Sequence, residues 1–226
     1  EAIKNLPFIK EAMGQVHPLT SNVFTQFMSG GGALFSQLTV KMALDAINKQ
    51  FGVFCLAQEP DNLLMWAHYA ASHTGLVVEF NEKHPFFDRR KGPEEIGRHL
   101  RKVEYTKNRP QMVMFDPKIQ EDGFRHAWAT NIFFSKSEHW AYEEEWRIVE
   151  YLRECPKVLR REPYDIYLFP IPMDCITGII FGCRTADATK FFIRDLIRTN
   201  PACSHVSLSE TSIDEKQYRL NFSVAK

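Results

Sequence analysis

Short apolar runs, separated by polar and turn-forming residues, recur along the chain after residue 50. Runs bounded in this way by Gly, Pro or charged residues are typical of β-strands that are buried on at least one face. They predict strands at 51–57, 76–80, 103–105, 146–152, 166–171 and 176–181, and an antiparallel pair formed by 206–208 and 218–224. Strands therefore dominate the predicted fold beyond residue 50.

Apolar residues at helical spacing predict helices before and between these strands. The predicted helices cover 35–50, 117–134 and 185–199, and 63–71 fits a helix or an extended segment. Residues 1–28 are predicted to be a helical or irregular lead-in. The charged stretch 84–99, which contains Pro and Gly, is predicted to be an exposed excursion.

The last predicted helix has a capping residue and an apolar stripe. Thr185 is expected to cap it, with Phe191, Phe192, Leu196 and Ile197 on its buried side. We expect this helix to lie on a sheet and to supply no chemistry.

The order of the predicted elements favours one fold class. Strands outnumber helices and do not alternate regularly with them, which is typical of an α+β fold with largely antiparallel sheets. No internal repeat or low-complexity segment interrupts the chain. We predict a single domain over 1–226, with 1–50 as a mainly helical lead-in and 51–226 as the α+β core.

Composition excludes disorder and disfavours one class of partner. The 226 residues are 44% hydrophobic and 13% aromatic, enough to fill a substantial core. Lys and Arg total 28, as do Asp and Glu, so the formal net charge is zero. A protein that binds nucleic acid through electrostatics usually carries a basic excess.

Cysteine usage and hydropathy give expectations about location. The five cysteines form no CxxC or CxC pair, so we expect neither a disulfide framework nor a structural zinc site. Free cysteines fit a reducing cytoplasm. No apolar run is long enough for a transmembrane helix, and the non-Met start leaves open an upstream segment or a partner protein.

A first candidate segment, 62–75, concentrates polar and aromatic side chains before a predicted strand. It contains Trp66, His68, Tyr69 and His73. The two histidines are five positions apart, which suits neither one face of a helix nor one face of a strand, so a metal site is not expected. The alternative is that Trp66 and Tyr69 are core aromatics with satisfied polar tips.

A second candidate segment runs from Lys136 to Arg147. If 143–149 is extended, then Glu143, Glu145 and Arg147 share one face, at roughly 6.5–7 Å intervals. Such a carboxylate pair can bind ribose hydroxyls or stabilise a developing oxocarbenium ion, and Arg147 lowers the cost of keeping both ionised. The alternative is a solvated strand edge with surface Glu–Arg pairs.

Both segments together resemble the bacterial family DUF2971, a domain of unknown function. The first block consists of Leu64 to Tyr69 with Gly75 and Phe80. The second block consists of Lys136, Trp140, Glu143, Glu145, Trp146 and Arg147. The resemblance covers about residues 51–182 and implies no established activity.

A weaker resemblance is to the ADP-ribosyltransferase fold, because the Glu-x-Glu of residues 143–145 opens a late strand. It implies two small packed, mostly antiparallel sheets with flanking helices, and NAD as substrate. It also implies Glu145 as the catalytic carboxylate, Glu143 as the group that orients the acceptor, and Tyr69 or His68 near the nicotinamide. The NAD-binding residues expected with them are Trp66, His73, Lys136, Trp140 and Arg147.

The resulting hypothesis is a cytoplasmic bacterial enzyme that consumes NAD, acting as a toxin or antiviral effector. The alternatives are a non-catalytic nucleotide- or protein-binding module and a nucleic-acid-processing enzyme. Convergence of Glu145 with His68 and Tyr69 on one open cleft favours the enzyme, whereas burial with mutual pairing favours a structural network. We also expect Trp66, Tyr69, Trp140 and Trp146 to be neighbours, and Glu145→Gln to change stability little.

Overall fold

The structure, a computed structural model, describes residues 41–42, 44–93, 95–110 and 122–225. The predicted lead-in and the first parts of the helices predicted at 35–50 and 117–134 lie outside these residues. Residues 44–50 are helical, as predicted. Within the described residues, no helix is long and apolar enough to cross a membrane.

Three further helices and eleven strands can be described. The helices are α1 (Leu63–Tyr69), α2 (Asp122–Phe134) and α3 (Asp187–Thr199). The strands are β1 (Phe51–Ala57), β2 (Leu76–Phe80), β3 (Arg101–Lys102), β4 (Glu104–Thr106), β5 (Ser135–Ser137), β6 (Glu145–Tyr151), β7 (Lys157–Leu159), β8 (Ile166–Leu168), β9 (Ile176–Phe181), β10 (Ser207–Ile213) and β11 (Leu220–Val224).

The strands form two larger sheets and two ribbons among the described residues. One sheet has the order β1-β6-β3 and the other β11-β10-β9-β2, while β4 pairs with β5 and β7 with β8. Most pairs with a defined register are antiparallel, but β9–β10 and β4–β5 are parallel. The α+β class is confirmed.

Helices cover both faces of the four-stranded sheet. Val77 and Ile180 pair across β2 and β9, and they pack with Trp66 of α1. Ile179 and Phe181, which point to the opposite face, pack with Ile193 and Ile197 of α3. We call these faces the α1 side and the α3 side.

The predicted buried stripe of α3 is wrong in part. Phe191 is 73% and Phe192 is 64% exposed, and Leu196 is also exposed, whereas Ile193 and Ile197 contact the sheet. The cap is also different, because Ala186 occupies the N-cap position. The hydroxyl of Thr185 donates instead to the Gly75 carbonyl, at 2.7 Å.

The stretch 84–99 is not simply an exposed excursion. Phe86 and Phe87, in a short 3₁₀ helix, are buried and pack with Ile148 of β6. Phe86 and Phe87 lie among charged and turn-forming residues, so the sequence pattern did not identify them as core residues.

Other predicted boundaries also change. The strand predicted at 166–171 ends at Leu168, before Pro170 and Pro172, because Pro cannot donate to a strand ladder. Val103 separates β3 from β4, and β10 continues to Ile213. The ambiguous segment 63–71 is helical up to Tyr69.

An unusual turn connects α1 to β2. Ala71, Ser72 and His73 all have positive φ values, of 47°, 55° and 69°. A Cβ added to Gly182 would lie 2.2 Å from the His73 carbonyl oxygen, so the turn packs directly on Gly182. This close approach requires glycine at position 182.

Contacts divide the chain into two units. The first comprises Glu1–Gly52 with Tyr151–Cys155, and in it the rings of Phe51 and Tyr151 lie 5.3 Å apart. The second comprises Val53–Glu150 with Pro156–Lys226 and contains all candidate site residues. The single-domain organisation stays a prediction.

Candidate functional site

The two glutamates reach the site by different routes. Glu143 ends a 3₁₀ helix (Glu138–Glu143), Glu144 has a left-handed φ of 43°, and β6 begins at Glu145. The prediction that Glu143 extends the same strand face as Glu145 and Arg147 is therefore wrong. The left-handed turn at Glu144 instead folds Glu143 back, and both carboxylates contact Lys136.

Glu145 is held by two cations. Arg147 Nε donates to its Oε1 at 2.8 Å, and Arg147 Nη2 and Lys136 Nζ donate to its Oε2 at 2.9 and 3.0 Å. Arg147 also donates through Nη1 to the Phe133 carbonyl, at 2.6 Å. Glu145 is only 5% exposed, so it is a buried, oriented carboxylate rather than a group at a cleft mouth.

Glu143 joins helix α1 to this cluster. It is 3% exposed, and it accepts from Lys136 Nζ and, at 3.0 Å, from the Tyr69 hydroxyl. Asn62, the N-cap of α1, supports this connection, because its Nδ2 donates to the Tyr142 carbonyl at 2.6 Å. The start of α1 and the turn that carries Glu143 are thereby tied together.

The ionisation states follow from these contacts. Burial disfavours the charge on Glu145, but hydrogen bonds from Arg147, Cys55 and Lys136 outweigh it and lower the pKa to about 2. Burial likewise opposes the charge of Lys136, yet its two carboxylate partners raise its pKa. Both groups are ionised at neutral pH.

Two neutral donors complete the cluster. Burial and the hydrogen bond to Glu143 raise the pKa of Tyr69. Burial and the neighbouring Glu145 raise the pKa of Cys55 to about 11, so its thiol is protonated and weakly nucleophilic at neutral pH.

The aromatic residues surround the cluster in different ways. Trp66 is buried, donates to the Pro60 carbonyl at 2.6 Å and stacks on His73, with centroids 5.9 Å apart. The Lys136 ammonium lies 5.2 Å from the centroid of Trp140. Trp146 donates to Gln58 Oε1 at 3.3 Å.

A cavity of about 850 Å³ lies against the cluster. Its lining includes Trp66, Tyr69, Lys136, Glu143, Glu145, Trp146 and Arg147. His68, His73 and Trp140 are not among the lining residues. Glu145 and Tyr69 thus meet at one cavity without His68, so the convergence expected of an enzyme is present only in part. The two carboxylates are also buried and paired, as expected of a structural network.

Comparison with known families connects this site to the sequence blocks. Residues 65–148 match the DUF2971 family, described as a protein of unknown function. No curated protein and no solved structure matches the chain. The DUF2971 resemblance is confirmed, over a shorter stretch than the predicted 51–182, and the family description assigns no activity.

The DUF2971 match contains the whole charged cluster. It begins in α1 and ends in β6, so it includes Tyr69, Lys136, Glu143, Glu145 and Arg147. The two blocks, distant in sequence, meet through the hydrogen bond from Tyr69 to Glu143. Among the described residues, no group of three or more His, Cys, Asp or Glu could hold a metal ion.

Sequence reasoning missed several residues of the site. Tyr105 accepts a hydrogen bond from the Glu145 backbone N–H at 2.9 Å, and Gln58 Oε1 accepts from both Lys102 and Trp146. Cys55, in the strand predicted at 51–57, also lines the cavity. Only Asn62 carried a local signal, since Asn before an apolar helical stretch is a common N-cap.

Proposed function

We propose that the chain is a bacterial NAD-consuming enzyme of the ADP-ribosyltransferase type, which breaks the bond between nicotinamide and ribose beside Glu145. The observation that supports this most is that Glu145, Glu143 and Tyr69 line one cavity. Its volume of about 850 Å³ falls in the usual range for small-molecule and cofactor sites.

Glu145 supplies fixed negative charge in this proposal. When the bond between C1′ and the nicotinamide nitrogen breaks, its electron pair leaves with nicotinamide and positive charge develops on the ribose. A carboxylate with a pKa of about 2 is ionised throughout the physiological range and stabilises that charge without proton transfer. Arg147 fixes its direction through the two-point contact.

Glu143 and Tyr69 act on the groups of the substrate that lie beside Glu145. Glu143 accepts from Tyr69 and Lys136, and an ionised carboxylate has about four acceptor positions, so it retains capacity for another donor. Water or an acceptor group adds to C1′, and its proton passes to Glu143. Tyr69, whose side chain is largely exposed, hydrogen-bonds the nicotinamide.

Charge around the cavity favours the nicotinamide end of NAD. Five carboxylates and two cations line it, which suits a pyridinium ring and a developing oxocarbenium ion. The diphosphate then lies toward the rim, where Lys102 donates to the lining residue Gln58 at 3.0 Å.

Incubation with NAD, followed by mass detection of nicotinamide and ADP-ribose, tests the proposal. Nicotinamide release by the wild type that disappears in Glu143→Gln supports it. His68→Ala is the matched control, because His68 is exposed on the same helix and does not line the cavity. A folded wild type without nicotinamide release contradicts the enzyme proposal.

A second candidate is a non-catalytic nucleotide-binding module. Its support is that both glutamates are buried and paired within the protein, which is typical of a structural network. Calorimetry separates the two proposals. Saturable NAD binding by the wild type without nicotinamide release favours the binding module.

The proposed biological role is that of a toxin or antiviral effector. A chain that consumes NAD depletes the host pool when it is produced in bacteria. We expect induced expression to arrest growth and lower cellular NAD, and Glu143→Gln at equal protein level to do neither. Normal growth and NAD level with the wild type speak against this role.

A further inference from the structure

The cavity follows the edge strand of a sheet. In the order β11-β10-β9-β2, strand β2 lies at the edge, and all five of its residues line the cavity. Leu76 packs on the α3 side and Val77 on the α1 side. Because successive side chains point to opposite faces, a cavity lined by all five residues also contacts the strand edge between the faces.

The edge of β2 offers backbone hydrogen-bonding groups to this cavity. The strand pairs with β9 from Leu76 to Phe80, and in the described part of the chain it has no second partner strand. In an antiparallel pair, every second residue directs its N–H and C=O away from the neighbour. An extended peptide can add to such an edge as a new strand.

The side chains of β2 differ between its two faces. Leu76 and Val78 belong to the apolar α3-side positions, whereas Glu79 shares the α1 side with Val77. The strand register shifts between Glu79 and Phe80, and Phe80 packs instead against Phe87. A Cβ at Gly178 would lie 2.1 Å from Glu79 Oε2, so the glycine leaves room for this carboxylate over the sheet. An added strand places its residues beside these in the same alternation.

The charge of the cavity determines which peptide fits. The five lining carboxylates exceed the two lining cations by three charges. Two of the carboxylates, Glu79 and Glu82, lie on β2 or directly after it. A basic side chain next to Glu79, with apolar side chains next to Leu76 and Val78, matches both faces.

We propose that the edge of β2 along the cavity binds an extended peptide segment in which basic and apolar residues alternate. The peptide adds as a strand, with backbone hydrogen bonds to β2 and ion pairs to Glu79 and Glu82. This inference goes beyond the proposed function and does not depend on cleavage of NAD, but the peptide and NAD would occupy the same cavity and therefore compete.

Fluorescence polarisation with labelled peptides tests the charge requirement. We expect a short peptide of alternating Lys and Val to bind at least about tenfold more tightly than its Glu and Val counterpart. Glu79→Gln with Glu82→Gln weakens the Lys peptide roughly three- to tenfold, since each pair is solvent-accessible. The matched control, Glu104→Gln with Glu215→Gln, changes two exposed carboxylates that do not line the cavity and leaves binding unchanged.

Backbone methylation tests strand addition itself. N-methyl groups on one alternate set of peptide residues remove the donors that face β2, and binding falls at least about tenfold. Methylation of the other set is tolerated, because those N–H groups face away. A structural defect in the protein would weaken binding of both methylated peptides, so it does not explain a difference between them.

Three results overturn the proposal. One is failure of the Lys peptide to bind, or equal binding of the Glu peptide. Another is equal tolerance of both methylation patterns, which indicates contacts by side chains alone. The third is a stable dimer of the protein that the peptide does not dissociate, which assigns the edge to a second copy of the chain.

Discussion

Arg147 donates two parallel hydrogen bonds to Glu145, from Nε to Oε1 at 2.8 Å and from Nη2 to Oε2 at 2.9 Å. The two residues are next but one on β6, so strand geometry places their side chains on the same face. A two-point contact fixes the carboxylate plane as well as its position. The proposed charge stabilisation at the cavity depends on this fixed orientation.

The first prediction is a pH dependence of stability from Glu145. Its pKa is lowered from 4.5 to about 2 in the folded protein, so its contribution is complete above about pH 5 and is lost as the pH falls towards 2. The contribution is about 3 kcal/mol, because each pH unit by which the pKa is lowered corresponds to about 1.4 kcal/mol.

Urea unfolding from pH 7 to pH 3 checks this. Glu145→Gln should lose less free energy of unfolding over that range than the wild type does. The comparison isolates Glu145, because Asp88 and Asp214, whose pKa values are also lowered to about 2, are present in both proteins. If the free energy of unfolding changes with pH in the same way in both proteins, a pKa of about 2 for Glu145 is excluded.

Arg147→Lys should destabilise the protein by roughly 2–4 kcal/mol. Lysine cannot reproduce the two-point contact or the bond to the Phe133 carbonyl, and it leaves Glu145 buried with weaker pairing. Arg160→Lys is the control, because the Arg160 pair with Asp165 is largely exposed and such pairs contribute about 0–1 kcal/mol. Equal losses in chemical denaturation would show that the Arg147 pair is no more important than a surface pair.

Gly182→Ala should cost roughly 2–3 kcal/mol of unfolding free energy. The added Cβ lies 2.2 Å from the His73 carbonyl oxygen and 3.0 Å from that of Gly75, and neither backbone atom can move without disturbing the turn before β2. Gly92→Ala, where nothing lies within 4 Å, should be close to neutral. Thermal and urea unfolding of both variants decide the matter, and a neutral Gly182→Ala would contradict the described packing.

The buried and the exposed apolar side chains of α3 should respond differently to truncation. Ile197→Ala removes a side chain that packs on the α3 side of the sheet and should cost about 1–3 kcal/mol. Phe191→Ala removes an exposed ring and should change stability by less than about 0.5 kcal/mol. The reverse order in urea denaturation would restore the buried stripe predicted from the sequence.

The α3 helix shows how far the sequence pattern reaches. Its apolar residues predict a helix with nearly the observed bounds, but Phe191, Phe192 and Leu196 form a second stripe next to that of Ile193 and Ile197. Periodicity cannot decide which of two adjacent apolar stripes faces the sheet, because this depends on tertiary packing. The strongly apolar strands β2 and β9 presented no such choice and agree with their predicted bounds.

The site was predictable only where its contacts are local. The pairing of Glu145 with Arg147 follows from their spacing on a strand. The contact between Tyr69 and Glu143 joins residues 74 positions apart. It depends on the left-handed conformation of Glu144, which Glu shows no intrinsic preference for. Burial of both carboxylates is likewise a tertiary property. Because of it, we expect Glu145→Gln to destabilise the protein, whereas the sequence alone predicted little change.

In the proposed function, the ionised Glu145 carboxylate promotes departure of nicotinamide from NAD. The most direct measurement is the rate of nicotinamide release by the wild type and by Glu145→Gln, at a temperature where melting curves show both to be folded. We expect release by the wild type and a roughly 10²–10³-fold lower rate for the variant, because the variant loses about 3–4 kcal/mol of electrostatic stabilisation. A folded wild type that releases no nicotinamide, or a folded variant that releases it as fast as the wild type, would contradict this role of Glu145.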